Sequence, residues 1–114
     1  MILLTGATGA MGSVLVQRLR EKGHDIRVLT LPGDPGAQRI IDLGGEVKYG
    51  DISRREDVVG ACEGVSTVYH LAAIIITSNE SRYESINVNG TAFLLEEARR
   101  AKVKHFVHVS SASV

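Results

Sequence analysis

The sequence has one cysteine, no tryptophan and two prolines among 114 residues, and its 13 acidic side chains balance 13 basic ones. A single thiol, Cys62, excludes an internal disulfide and favours a reducing compartment, so we expect a cytoplasmic protein. With zero net charge and no run of basic residues longer than two, the chain gives no sign of a nucleic-acid partner.

Long apolar runs are also missing. The longest, Leu71–Ile76, has about a third of the length that a membrane-spanning helix requires. The chain begins with the short apolar run Ile2–Leu4, with no basic segment before it, so we expect neither a signal peptide nor a membrane span. Its length and 44% apolar content fit one domain with a modest core, over residues 1–114, and leave no room for a substrate domain.

Short β-branched runs alternate with longer helical patterns along the chain. We expect five strands, at Ile2–Thr5, Asp25–Thr30, Glu46–Tyr49, Thr67–Leu71 and His105–Val109. Between them we expect four helices, at Met11–Lys22, Ala37–Leu43, about Arg54–Ala61 and about Tyr83–Ala101. This alternation predicts a doubly wound α/β fold of the Rossmann type, a parallel sheet of about five strands with helices on both faces.

The apolar spacing of two helices predicts which side chains meet the sheet. In the first helix these are Met11, Val14, Leu15 and Leu19. In the last helix the predicted inward residues are Leu94, Leu95, Ala98 and Ala101, and the predicted outward residues are Glu96, Glu97, Arg99 and Arg100.

A glycine-rich turn lies directly between the first strand and the first helix. In such a position Gly6 permits a tight turn, Gly9 lets a ligand approach the backbone, and Gly12 lets the helix pack closely. Main-chain amides at the mouth of a helix bind phosphate groups. The turn therefore predicts a cradle for a diphosphate, although a glycine-rich loop without a ligand remains the alternative; the cradle residues are Gly6, Thr8, Gly9, Ala10, Met11 and Gly12.

The TGxxGxxG spacing of this turn resembles the short-chain dehydrogenase/reductase superfamily, and further motifs resemble its extended branch, the NAD-dependent epimerase/dehydratase family. Gly50–Ile52 is similar to that family's G-D-[LI], and Val68–Ala73 to its V-x-H-x-A-[AG]. Asn87–Thr91 resembles its N-V-x-G-T, and Val109–Val114 its S-S-x-x-V. The resemblance covers essentially the whole chain, with the motifs in the family's order.

The resemblance implies a nicotinamide dinucleotide cofactor and a set of residues around it. Asp51, with Ile52 beside it, would contact the adenine. The backbone at Leu71, Ala72 and Ala73 would pass along the ribose and nicotinamide. Asn87 would lie beside the cofactor, and Ser111 matches the serine that hydrogen-bonds the substrate.

Several of these residues also have structural alternatives. Asp51 could cap a helix that begins near Ser53 or Arg54. His70 is better explained as a hydrogen-bonded core residue than as a catalyst. Asn87 could hold a neighbouring loop, and the small Ala72 and Ala73 could simply pack well.

The choice between NAD and NADP depends on the end of the second strand, where an acidic residue favours NAD and an arginine favours NADP. By resemblance the acidic position falls on Thr30 and the arginine position on Leu31, so neither discriminator is present. Asp34 could reach back from the following loop, and Arg39 could serve the opposite preference. We expect NAD, with NADP as the alternative.

The resembling family also uses a tyrosine about two dozen residues after its serine, and a lysine four residues further on. This chain ends at Val114, and Tyr69 and Tyr83 both precede Ser111, so neither is the catalytic base. We expect an incomplete fold at the carboxyl end, and weak dinucleotide binding without turnover by this chain alone. The complete protein would be an enzyme acting on a nucleotide sugar or a similar hydroxyl or keto substrate; a non-catalytic sensor or inactive partner subunit is the alternative.

The fifth strand is expected to leave an unpaired edge, because the strand that follows it in the family is not present. Unpaired edges favour pairing with another chain, so we expect a homo-oligomer or aggregation.

Overall fold

The structure is a computed structural model that describes residues 1–7, 10–71 and 89–109. Strands and helices alternate along these residues. The strands are β1 (Ile2–Thr5), β2 (Ile26–Thr30), β3 (Glu46–Tyr49), β4 (Thr67–Leu71) and β5 (His105–Val109). The helices are α1 (Ala10–Glu21), α2 (Ala37–Asp42), α3 (Arg55–Val58) and α4 (Gly90–Arg100).

The strands form one parallel sheet in the order β3-β2-β1-β4-β5. The chain winds outward from β1 to β3 and then returns across the sheet, so that β4 pairs with the other side of β1. The winding therefore reverses between β1 and β4, and ligands of open α/β sheets bind at the carboxyl ends of strands at such a point. The doubly wound α/β prediction is confirmed.

Two hydrophobic clusters, one on each face of the sheet, hold the helices in place. One contains Leu3, Leu29 and Val68 of the strands with residues of α3 and α4. The other contains Leu4 and Val28 with residues of α1 and α2. Successive side chains of a strand point to opposite faces of the sheet, so neighbouring residues such as Leu3 and Leu4 belong to different clusters.

The inward face of α1 differs from the prediction at one position among the described side chains, which do not include that of Met11. Val14 is half exposed, whereas Val16 is fully buried in the cluster of α1 and α2. Leu15 and Leu19 pack against that cluster as predicted. Three consecutive apolar residues cannot all face the sheet at 100° per residue, and the contact with β1 and β2 selects Val16.

The inward face of α4 also differs at two positions. Leu94 and Ala98 are buried as predicted, but Leu95 is 44% exposed. Glu97, predicted to face water, is buried because its Oε1 accepts a hydrogen bond from the Gly60 backbone N–H at 2.8 Å. The predicted stretch 83–88 of this helix lies outside the described residues.

Helix α3 is shorter than predicted, since it ends at Val58 rather than Ala61. Val59 leaves the helical conformation with ψ 129°, and Gly60 follows with φ +84°. The next residues turn back toward β4, and the thiol of Cys62 is buried there. Burial, together with the nearby charge of Glu97, raises the pKa of Cys62 to about 11, so this thiol stays protonated near neutral pH.

No helix among the described residues combines the length and the apolar content that crossing a bilayer requires.

Candidate functional site

The turn after β1 is packed so tightly that it has no room for a side chain at two of its glycines. Gly6 has φ +68°, and a Cβ built on it would lie 2.5 Å from the carbonyl oxygen of Leu71. A Cβ on Gly12 would lie 2.4 Å from Cα of Ala7. The backbone of the turn is therefore bare where it meets β4 and the first turn of α1, as a phosphate cradle requires.

Part of the predicted cradle lies outside the described residues. The structure places Gly6 after β1, and Ala10, Met11 and Gly12 in the first turn of α1. Thr8 and Gly9 are not among the described residues. The role of all six in binding a diphosphate stays a prediction.

The end of β2 carries a carboxylate, although the strand itself does not end on an acidic residue. The hydroxyl of Thr30 donates to Oδ2 of Asp34 at 2.5 Å, and the Gly36 N–H donates to Oδ1 at 2.8 Å. Arg39 is directed elsewhere, because its Nη2 donates to Oε1 of Gln17 on α1 at 3.4 Å. The charged group beside Thr30 is thus acidic.

Asp51 follows β3 and shapes the turn before α3. Its Oδ1 accepts hydrogen bonds from the Ser53 N–H at 2.9 Å and the Ser53 hydroxyl at 2.6 Å. The alternative that Asp51 caps a helix beginning near Ser53 or Arg54 is wrong, since the N-cap of α3 is Arg54 and no described side chain makes a capping hydrogen bond to this helix. The adenine contact of Asp51 stays a prediction.

Ile52, the neighbour of Asp51, connects this turn to α4. Its side chain packs against the cluster of α3 and α4, and a Cβ on Gly90 would lie 3.1 Å from its Cγ2. The first turn of α4 is therefore in close contact with the turn after β3.

His70 on β4 is buried and bonded through both ring nitrogens, as expected of a core histidine. Nδ1 lies 2.5 Å from the hydroxyl oxygen of Thr5, and Nε2 lies 2.9 Å from that of Thr91. The ring stacks on His108 with the centroids 5.0 Å apart. Burial, with a smaller contribution from His108, lowers the pKa of His70 to about 4, so the ring is neutral near neutral pH.

The contacts of His70 were missed by sequence reasoning. Thr5, His70 and His108 occupy the same register position on three adjacent strands. Aligning the strand ends would have shown this row, but the contact with Thr91 depends on how α4 lies over the sheet.

The remaining predicted site residues divide between described and undescribed parts of the chain. Leu71 is the last residue of β4, and its carbonyl faces Gly6. Ala72, Ala73, Asn87 and Ser111 lie outside the described residues. Within the described ranges, no group of three or more His, Cys, Asp or Glu side chains could hold a metal ion.

Comparison with known proteins identifies the family to which the chain is similar. The profile of the NAD dependent epimerase/dehydratase family matches residues 2–114. The chain is 39% identical to sterol demethylase protein B of Methylococcus capsulatus over 96% of its own length, and 35% identical to a 3-beta-hydroxysteroid dehydrogenase of Mycolicibacterium neoaurum over 99%. It covers 34% and 32% of those two proteins, so it spans about a third of their length.

A solved structure gives the same result. A short-chain dehydrogenase/reductase superfamily protein from Agrobacterium tumefaciens with bound NAD shares 35% identity and superposes with a TM-score of 0.82, over 97% of this chain and 32% of that one. The predicted resemblance is confirmed, and a nicotinamide dinucleotide is the cofactor that the matched family's description names. The chain belongs to the NAD dependent epimerase/dehydratase family.

Proposed function

We propose that the protein containing this chain uses a nicotinamide dinucleotide to interconvert a hydroxyl group and a ketone on a small-molecule substrate. The observation that best supports this proposal is the tight turn between β1 and α1. A side chain at Gly6 or Gly12 would collide with backbone atoms, so the turn keeps its main chain uncovered. A dinucleotide fits such a turn, since its diphosphate needs close approach to main-chain amides. When bound, the cofactor supplies hydride transfer, and the protein supplies position and electrostatics.

The described residues that would hold the cofactor lie at the carboxyl ends of β1, β3 and β4 and in the first turn of α1. Gly6 and Gly12 would shape the turn whose main-chain amides receive the diphosphate, and Asp51 with Ile52 would flank the adenine. The Leu71 backbone would run beside the nicotinamide half. Ser111 would contact the substrate, with Ala72, Ala73 and Asn87 near the cofactor.

NAD is the proposed form of the cofactor. Asp34 carries a negative charge beside Thr30 at the end of β2, held there by two hydrogen bonds. A carboxylate here accepts hydrogen bonds from the ribose hydroxyls of NAD and repels the 2′-phosphate of NADP.

For the substrate we propose a hydroxyl or keto compound, and the names of the two relatives favour a hydroxysteroid over a nucleotide sugar. None of the chain's tyrosines, Tyr49, Tyr69 and Tyr83, is followed by a lysine four residues later. We therefore propose that the 114 residues alone bind dinucleotide without turning over substrate. A cytoplasmic location is proposed as well, since the buried Cys62 needs no disulfide partner.

Calorimetric titration of the chain with NAD and NADP tests the proposal. We expect NAD to bind more tightly than NADP, and Gly9→Asp to weaken NAD binding about tenfold or more, because a carboxylate would repel the diphosphate. Gly64→Asp is the control, since it adds the same charge before β4, at the amino ends of the strands rather than at their carboxyl ends.

Four results would contradict parts of the proposal. Failure of the unaltered chain to bind either dinucleotide would remove the proposed function. Equal affinities of the Gly9→Asp and Gly64→Asp variants for NAD would contradict a diphosphate cradle at the turn after β1. Turnover of a hydroxysteroid or nucleotide sugar by the 114 residues alone would show that the catalytic set is complete, whereas binding without turnover by the longer protein would favour a sensor.

We also propose that the chain associates with a second copy through β5. This strand forms one edge of the sheet among the described residues, and Val107 on it is exposed. Edge strands present unpaired N–H and C=O groups to other chains, and a charged side chain there discourages pairing. We expect light scattering to show a mass that rises with concentration, and Val107→Lys to reduce the rise.

Val14→Lys is the matched control for that variant, because Val14 is similarly exposed but lies on α1. A constant monomer mass at all concentrations, or an equal effect of the two lysine variants, would contradict pairing through β5.

A further inference from the structure

Three neighbouring strands carry polar side chains at the same register position near their carboxyl ends. Thr5 of β1 pairs with His70 of β4, which pairs with His108 of β5. Two residues earlier on β1 and β4, on the same face of the sheet, Leu3 and Val68 belong to the hydrophobic core. Thr5 and His70 are 3% and 4% exposed, so these polar groups are as buried as the core itself and need hydrogen-bond partners.

The His70 ring satisfies this need by bridging two hydroxyl groups, Thr5 on one side and Thr91 on the other. A neutral imidazole has one N–H donor and one acceptor nitrogen, so one threonine accepts a hydrogen bond and the other donates one. The ring keeps one donor and one acceptor because it is neutral near neutral pH, and it stacks on the ring of His108.

The two ends of the bridge reach different walls of the proposed cofactor cleft. Thr5 directly precedes Gly6 in the chain, and Gly6, with φ +68°, is the first residue of the predicted cradle. Thr91 is the second residue of α4 and follows Gly90, which packs against Ile52. The bridge thus connects the turn after β1 to the first turn of α4, and through it to the turn after β3.

We propose that His70 is a positioning residue for the dinucleotide, and that the Thr5–His70–Thr91 bridge fixes the cradle at Gly6 relative to the start of α4. This inference rests on the proposed function. A preorganised cleft binds more tightly because less freedom is lost on binding. Breaking the bridge therefore weakens dinucleotide binding by more than a general loss of stability explains.

The experiment measures the dissociation constant for NAD by calorimetry in variants of the bridge. We expect Thr91→Val, which keeps the shape and loses the hydroxyl, to weaken binding about fivefold or more, and Thr91→Ser to stay within about twofold of the unaltered chain. His70→Phe is expected to match Thr91→Val. The double variant is expected to lose little more than either single one, because both remove the same bridge.

Ile40→Val is the control for general destabilisation. Ile40 is fully buried on the opposite face of the sheet, in the cluster of α1 and α2, and contacts no part of the bridge. We expect this variant to lower the melting temperature while leaving the NAD dissociation constant within about twofold. In the ligand-free chain, the amide resonance of Gly6 is expected to shift in Thr91→Val and to stay in place in Ile40→Val.

The inference is overturned if Thr91→Val binds NAD as tightly as Ile40→Val does, or if its Gly6 resonance stays in place. Equal weakening by Thr91→Ser and Thr91→Val would also overturn it, because the hydroxyl would then have no part. Failure of the unaltered chain to bind dinucleotide would overturn the proposed function and this inference together, and is thereby distinguished from the other outcomes.

Discussion

Gly6→Ala is expected to lower the free energy of unfolding by about 2–5 kcal/mol. One part is backbone strain, because φ +68° costs a residue with a Cβ about 1–2 kcal/mol. The other is overlap with the Leu71 carbonyl oxygen at 2.5 Å, and forcing atoms into a packed site costs about 1–3 kcal/mol. Urea-induced unfolding measures the change.

Gly23→Ala separates these two contributions. Gly23 has φ +84°, but a Cβ there would meet nothing within 4 Å. We expect this variant to lose only the strain energy, about 1–2 kcal/mol. Equal losses at both glycines would show that the turn after β1 can move away from β4, contrary to the tight packing of the site.

Lowering the pH from about 6.5 to about 4 is expected to destabilise the fold through His70 by up to about 3 kcal/mol. Burial and His108 lower the pKa of this histidine from 6.5 to about 4. Between these pH values the unfolded chain binds a proton that the folded chain does not, so acid favours unfolding. Above pH 6.5 His70 is neutral in both states, and below pH 4 it is protonated in both, so the loss is confined to this window.

The measurement is the free energy of unfolding against pH for the unaltered chain and for His70→Gln. Thr5, Thr91, Phe106 and His108 face the ring, and of these only His108 is titratable. The carboxylates are the same in both proteins, so the difference between the two curves isolates His70. We expect the variant to be less stable at pH 7 and the gap to narrow toward pH 4; parallel curves would contradict the buried neutral histidine.

The strands could be predicted from the sequence almost to the residue. Only β2 differs, beginning at Ile26 rather than Asp25. Buried parallel strands are short β-branched runs, and turn-forming residues such as Gly6 and Gly50 mark their ends. Both the strand bounds and the two-faced sheet therefore follow from local composition and alternation.

The orientation of the helices could be predicted only in part. Leu94 and Leu95 are equally apolar, and periodicity alone does not decide which of them faces the sheet. The burial of Glu97 depends on the Gly60 amide, 37 residues away, which needs an acceptor. Such pairings are set by tertiary contacts and leave no trace in the spacing of apolar residues.

The candidate site shows the same limit. The glycine turn was recognisable because its residues are consecutive and lie between a strand and a helix. The sequence placed Asp34 only four residues after Thr30. It therefore allowed a contact between the Asp34 carboxylate and the end of β2 but did not require one. The contact of His70 with Thr91 joins residues 21 positions apart on different elements, and no local pattern indicates it.

The central position of β1 has a consequence for how quickly the chain can fold. Its partner β2 is near in sequence, but Thr5 and His70 on its other side are 65 residues apart. Closing so large a loop costs entropy before any contact compensates for it, and such non-local pairing slows folding. During synthesis the earliest strand must therefore wait, with one side uncovered, until the residues of β4 have left the ribosome.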